Sequence, residues 1–126
     1  YGRAVGLAFQ ITDDIFDYLG AENVMGKAMG SDLEGGKITL PLITALRNAS
    51  DPARREMRAM IQNREFRNGH WGDVVRFVTE NGGVEVSEER SVALAREAEA
   101  ELEHVRDDVA RTALTNAVRY AVTRRR

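Results

Sequence analysis

Gly6-Leu7-Ala8-Phe9-Gln10-Ile11-Thr12-Asp13-Asp14-Ile15-Phe16-Asp17-Tyr18 is the stretch on which the reading of this chain turns. Placed on a helical wheel with the residues before it, at about 100° per residue, Arg3, Gly6, Gln10, Asp13, Asp14 and Asp17 share one stripe about 100° wide. Most of the remainder is apolar: Val5, Leu7, Ala8, Phe9, Ile11, Ile15, Phe16 and Leu19. The pattern predicts a buried helix over residues 3 to 18, packed on three sides and opening one narrow face onto something polar. Gly20 is placed to end it as a left-handed cap.

Three aspartates on that stripe break three local rules at once. Asp13 and Asp17 are four apart, where like charges repel. They lie in the C-terminal half of the helix, where the backbone dipole disfavours negative charge. Aspartate is also a poor helix former. Such breaches gather at functional sites, and a bound divalent cation would reverse all three. Hard carboxylate oxygens without neighbouring His or Cys suit Mg²⁺, or Mn²⁺, with waters and substrate phosphates completing the shell. The plain alternative is a solvated acidic face, since a D-D-x-x-D spacing is short and common. The apolar surroundings weigh against it, because a merely solvated face is usually wider.

Downstream, residues 20 to 37 read as a long loop carrying Gly20, Gly26, Gly30, Gly35 and Gly36. Loops of that length inside a compact domain tend to be functional. Lys27 and Lys37 flank Asp32 in it, and they are the only lysines of a chain in which 16 of 18 basic residues are arginine. Lysine is a point-charge binder of phosphate oxygens, and glycine lets backbone approach a ligand. Carboxylates that hold a metal, beside ammonium groups, describe a diphosphate site.

Helical spacing governs the rest, and strand alternation is nearly absent. Pro41 suits the first turn of a second helix running to about Asn48. Ser50 or Asp51 caps a basic third helix from Pro52 to about Arg64. A short helix from Trp71 to Asn81 is closed by Gly82-Gly83, with Trp71 and Phe77 read as core. A longer one, Ser87 to Arg106, carries Leu94, Ala98, Leu102 and Val105 on one stripe, and Asp107 or Asp108 caps the last helix. The fold class is therefore all-α.

Composition narrows the function classes. With 126 residues, 43% hydrophobic and 30% charged, the chain has the make-up of one globular domain or part of one. Its net charge of −2 gives no general argument for nucleic-acid binding. Zero cysteines leave no disulfide or thiolate metal site, which agrees with a cytoplasmic setting. The longest uncharged stretch, Ile38 to Leu46, is about half of a bilayer span, so at most peripheral membrane contact is expected. The Arg54, Arg55 and Arg58 face and the Arg124 to Arg126 end read as solvated, and His70 and His104 as surface or capping residues.

The quoted helix resembles the second aspartate-rich motif of the trans-isoprenyl (polyprenyl) diphosphate synthase family. Its continuation, Gly26-Lys27-Ala28-Met29-Gly30-Ser31-Asp32-Leu33-Glu34-Gly35-Gly36-Lys37-Ile38-Thr39-Leu40-Pro41, is similar to the family's G-K-x-x-G-x-D-x-x-x-x-K-x-T-x-P segment. The resemblance covers residues 6 to 41 with spacing intact and is closest in flavour to long-chain octaprenyl and solanesyl enzymes. It implies the C-terminal part of an isoprenoid-synthase-type helical bundle: an aspartate-rich helix over 3–18, a lysine loop over 20–37 and C-terminal helices over 41–126.

The implied reaction is the Mg²⁺-dependent head-to-tail joining of an allylic diphosphate to isopentenyl diphosphate, in a homodimeric enzyme. Carried over by position, Asp13 is a direct metal ligand and Asp14 and Asp17 assist through water. Lys27 binds the allylic diphosphate, Lys37 and Asp32 support the loop, and Phe9 and Gln10 line the homoallylic side. The family's first aspartate-rich motif is not in this sequence, so the chain is expected to be the C-terminal portion of a longer enzyme, inactive alone. Two other readings use the same residues: a non-catalytic partner subunit, which would be expected to lose aspartates, and a terpene cyclase, against which the lysine loop argues.

Overall fold

The computed structural model describes residues 1–20 and 29–123. Its helices are α1 (Gly2–Leu19), α2 (Ser31–Glu34), α3 (Leu40–Asn48), α4 (Asp51–Gln62), α5 (Trp71–Glu80), α6 (Gly83–Glu101) and α7 (Asp108–Thr123). Short 3-10 turns, Glu65–Asn68 and Leu102–His104, follow α4 and α6. Among the described residues there is no strand, so the all-α expectation holds.

Helix α6 is the strut of the assembly: α1 lies along it, and α3, α5 and α7 also pack on it. Close approach of α1 to α6 is made by small polar residues. Thr12 Oγ1 donates to the Ala8 carbonyl at 2.9 Å and meets Ser91 Oγ at 2.9 Å, while Ser91 Oγ also reaches the Ala8 carbonyl at 3.1 Å. Both hydroxyls are buried and satisfied, as buried polar groups must be. The larger core cluster lies beyond them, where Tyr18, Leu33, Leu42, Met57, Phe66 and Phe77 interlock from six different elements. A second cluster joins α6 to α7 through Ala95, Ala98 and Val118.

Several boundaries differ from the sequence reading, each for a local reason. Gly20 is extended (φ −63°, ψ 146°) rather than left-handed. Its N–H closes the last turn on the Phe16 carbonyl at 2.7 Å, and a Cβ there would sit 2.7 Å from the same oxygen, so close approach is what calls for glycine. The lysine loop is not wholly irregular, because α2 forms within it. Helix α6 starts at Gly83 instead of Ser87, since left-handed Gly82 (φ +70°), whose N–H closes α5 on the Thr79 carbonyl at 3.1 Å, is also the N-cap of α6. It ends at Glu101, where a 3-10 turn replaces the expected run to Arg106. Asp107 rather than Asp108 caps α7, its Oδ1 accepting from the Ala110 N–H at 2.9 Å.

Arg54 is also not part of a solvated face. Its guanidinium donates to the carbonyls of Leu46 (2.6 Å), Arg47 (3.3 Å) and Ala49 (2.8 Å) and pairs with Asp51 at 3.0 Å. It thereby closes the C-terminal end of α3, whose last carbonyls lack helical partners. Helix α1 is less enclosed than its pattern suggested: Leu7, Phe9 and Leu19 are 43%, 38% and 48% exposed.

Candidate active site

The acidic stripe sits at the C-terminal half of α1, and it is buried. Asp14 and Asp17 are each only 8% exposed and Asp13 is partly buried. A carboxylate in that position needs donors, and Asp17 finds them in the segment that follows. Its Oδ1 accepts from Ser31 Oγ at 3.1 Å and its Oδ2 from the Asp32 backbone N–H at 3.2 Å, while its own carbonyl accepts from Gly30 N–H at 3.2 Å. The orphan amide at the start of α2 is thus satisfied by a charge from α1, a charge-assisted bond of the stronger kind. This junction locks the acidic helix to the lysine segment.

Gly30 makes the lock possible. It is left-handed (φ +76°), and a Cβ on it would lie 2.8 Å from the indole of Trp71. After α2 the chain reverses through Gly36 (φ +81°), and Lys37 N–H donates to the Asp32 carbonyl at 2.8 Å. That reversal brings Lys37 Nζ within 3.1 Å of Asp32 Oδ1. The lysine is 71% exposed and the aspartate 12%, so the ammonium group keeps donors turned to solvent.

Electrostatically the site is a region of crowded negative charge. Burial pushes the Asp14 carboxyl above its ordinary value, against the pull of a 2.8 Å hydrogen bond from Gln10 Nε2, and Asp32, Asp13 and Asp17 push it further. Burial also pushes the Tyr18 phenol up to about 12, against the pull of the Thr39 hydroxyl, with Asp17, Asp14 and Asp32 adding to the rise. Cations are what such a place favours.

Among the described residues, no three His, Cys, Asp or Glu side chains converge into a ready metal cage. The donor set nonetheless fits Mg²⁺ as that ion is usually held, by one or two carboxylates with substrate phosphates and water. The oxygens are hard and lie on one helix stripe, the donor type that ion takes.

Of the residues singled out from sequence, Asp13, Asp14, Asp17, Asp32 and Lys37 come together at this junction. Gln10 joins them through Asp14. Phe9 is exposed on α1. Lys27 lies outside the described residues. Sequence reasoning missed Ser31, whose hydroxyl fills an Asp17 lone pair, and the placement of Trp71, stacked on Tyr18 at 5.5 Å and 22°. Ser31 follows a glycine and starts a helical turn, a signal that could have marked it.

The polyprenyl synthetase family model matches residues 1–78. The chain belongs to that family. It is 33% identical to octaprenyl diphosphate synthase of Escherichia coli over 126 residues, all of this chain and 39% of that one. It is 33% identical over 124 residues to solanesyl diphosphate synthase 1 of Arabidopsis thaliana, described as chloroplastic, covering 98% of this chain and 29% of that protein. A polyprenyl synthase of Caulobacter crescentus, crystallised with calcium and isoprenyl diphosphate, superposes with a TM-score of 0.89 at 31% identity, over all of this chain and 38% of that one.

The chain therefore spans roughly a third of these relatives' length, and what it matches is their C-terminal portion. That agrees with the expected family, fold and placement. No helix among the described residues is long and apolar enough to cross a membrane.

Proposed function

We propose that this chain forms the second aspartate-rich half of a trans-polyprenyl diphosphate synthase active site. The junction Asp17–Ser31–Asp32 is the observation that carries the reading. It ties Asp17 of the aspartate helix to Asp32, which in turn pairs with Lys37, and this supports a site that holds a diphosphate through a cation on one side and an ammonium group on the other. In the full-length enzyme, Asp13 would hold Mg²⁺ directly with Asp14 and Asp17 assisting through water, and the ion would supply charge withdrawal from the leaving diphosphate.

The protein's own groups do the rest. Lys37 neutralises Asp32 and holds the loop. Lys27 binds the allylic diphosphate, and Phe9 and Gln10 border the isopentenyl side. Gln10 also holds buried Asp14 in place. The full-length protein is read as a cytoplasmic homodimer with at most peripheral membrane contact.

Elongation of labelled isopentenyl diphosphate on allylic primers is the assay. The full-length protein is expected to elongate in the presence of Mg²⁺, and Asp13→Ala to lose about 10²–10³ in kcat, the scale of losing a stabiliser of developing charge. The 126-residue chain alone is expected to give no product. Elongation by that chain overturns the half-site reading. Failure of the full-length protein with every allylic primer overturns the enzyme reading.

One relative favours a second arrangement. Heptaprenyl diphosphate synthase component 2 of Geobacillus stearothermophilus is 54% identical over 46 residues, and its name describes one part of an assembly. If the full-length protein elongates only after a second polypeptide is added, it is the catalytic component of such a pair.

A further inference from the structure

The indole of Trp71, at the start of α5, lies against both sides of the Asp17–Ser31–Asp32 junction. Its ring stacks on Tyr18, the residue after Asp17, with centroids 5.5 Å apart and planes 22° from parallel. It also bounds Gly30, the residue before Ser31, so closely that a Cβ there would be 2.8 Å from the ring. One side chain from a third element thus touches a chain neighbour of Asp17 and a chain neighbour of Ser31. Helix α5 in turn is seated one turn on by Val74, which is fully buried, so the ring has a firm base. Trp71 Nε1 is buried and has no acceptor among the described residues, which leaves the shape of the ring as its contribution.

We propose that Trp71 is a positioning residue for the diphosphate site. Its ring sets the gap between the last turn of α1 and residues 30–37, and so holds Asp17, Asp32 and Lys37 at their spacing without touching substrate. The catalytic consequence rests on the function proposed above, whereas the junction geometry does not.

The test uses the full-length protein carrying W71A, W71F or V78A, the last as a packing control elsewhere on α5. Hydrogen exchange is followed at the amides of Gly30, Asp32 and Lys37, and KM is measured for the allylic diphosphate. W71A is expected to speed exchange at those amides about tenfold, a local opening rather than a global one, and to raise KM by a similar factor. W71F is expected to stay within about twofold on both readouts, because a flat ring remains. V78A is expected to lower Tm without singling out these amides or moving KM. Should W71A fail to fold, W71L carries the comparison, since it fills space without a flat ring and is expected to lie between W71F and W71A.

Unchanged exchange in a folded W71A, or W71L indistinguishable from wild type, overturns the proposal. So does W71F behaving as badly as W71A, which would assign the role to the indole N–H. If the wild-type enzyme elongates nothing, the function reading fails while the exchange data still decide the role of Trp71.

Discussion

The two hydrophobic clusters of this chain are packed in different ways. The one beneath the acidic junction interlocks Tyr18, Leu42, Met57, Phe66 and Phe77 from helices far apart in sequence. The one joining α6 to α7 has only Ala95, Ala98 and Val118 at its centre, with Tyr1, Ala4, Val5 and Val122 at its edge. Large side chains from many elements resist displacement because every neighbour must move together. Alanines allow close helix approach but give little area, so α7 leans on rim contacts such as Tyr1 Oη to the Leu114 carbonyl at 2.8 Å and Arg119 to Glu99 at 3.3 Å. The family model matches residues 1–78, which contain every buried residue of the first cluster and none of the buried residues of the second. Rigidity is concentrated where the charged chemistry would need fixed spacing, and the α6–α7 pair is the part expected to open first.

The comparison is broken most severely at Gly83. A Cβ there would lie 2.3 Å from the Pro41 carbonyl oxygen and 2.8 Å from that of Val78, and backbone cannot swing aside as a side chain can. Gly83→Ala is expected to cost more than about 3 kcal/mol, the upper range for overpacking, visible as a large loss of denaturation midpoint.

Paired truncations sharpen it. Leu42, fully buried in the first cluster, is expected to lose about 3 kcal/mol on replacement by alanine, and Val118, 1% exposed in the second, about 1–2 kcal/mol. Urea melts of the two variants provide the check, and equal losses would show the clusters to be alike. Ser91→Ala removes one side of the hydroxyl pair between α1 and α6, with an expected cost of about 1 kcal/mol by the same measurement.

The smallest effect concerns pH. His70 holds the exposed Asp73 carboxyl below its usual value through a hydrogen bond at 2.9 Å, and Arg76 adds to this. A carboxylate lowered in the fold contributes stability above its unfolded pKa, and that contribution is lost as pH falls through the folded value. His70→Ala is therefore expected to lower stability slightly above about pH 4, neutral pH included, with the difference from wild type fading as pH falls further, as read from Tm against pH.

Much of this was legible in sequence because it is local. The apolar pattern of α1, Pro41 in the first turn of α3 and Asp107 before α7 all act within a turn or two of themselves. The resemblance over residues 6 to 41 drew attention to Asp17, Asp32 and Lys37, which the structure links through hydrogen bonds.

What was not legible depends on partners distant in the chain. Gly83 looks like a helix stop until Pro41 is seen against it, and Arg54 looks solvated until the end of α3 turns its carbonyls toward it. Trp71 looks like ordinary core, since nothing near it in sequence reveals that Gly30 and Tyr18 meet on its ring.

Because Trp71 is the sole tryptophan of the chain, its light emission is a one-residue spectrum taken at the foundation of the candidate site. Its wavelength and intensity report on the Tyr18 and Gly30 contacts directly, undiluted by any second indole of this chain. Helix α7 contributes tyrosine but no tryptophan, so it can come loose while that signal stays nearly silent. An optical titration with metal or diphosphate therefore watches the junction and is largely blind to the rest of the fold.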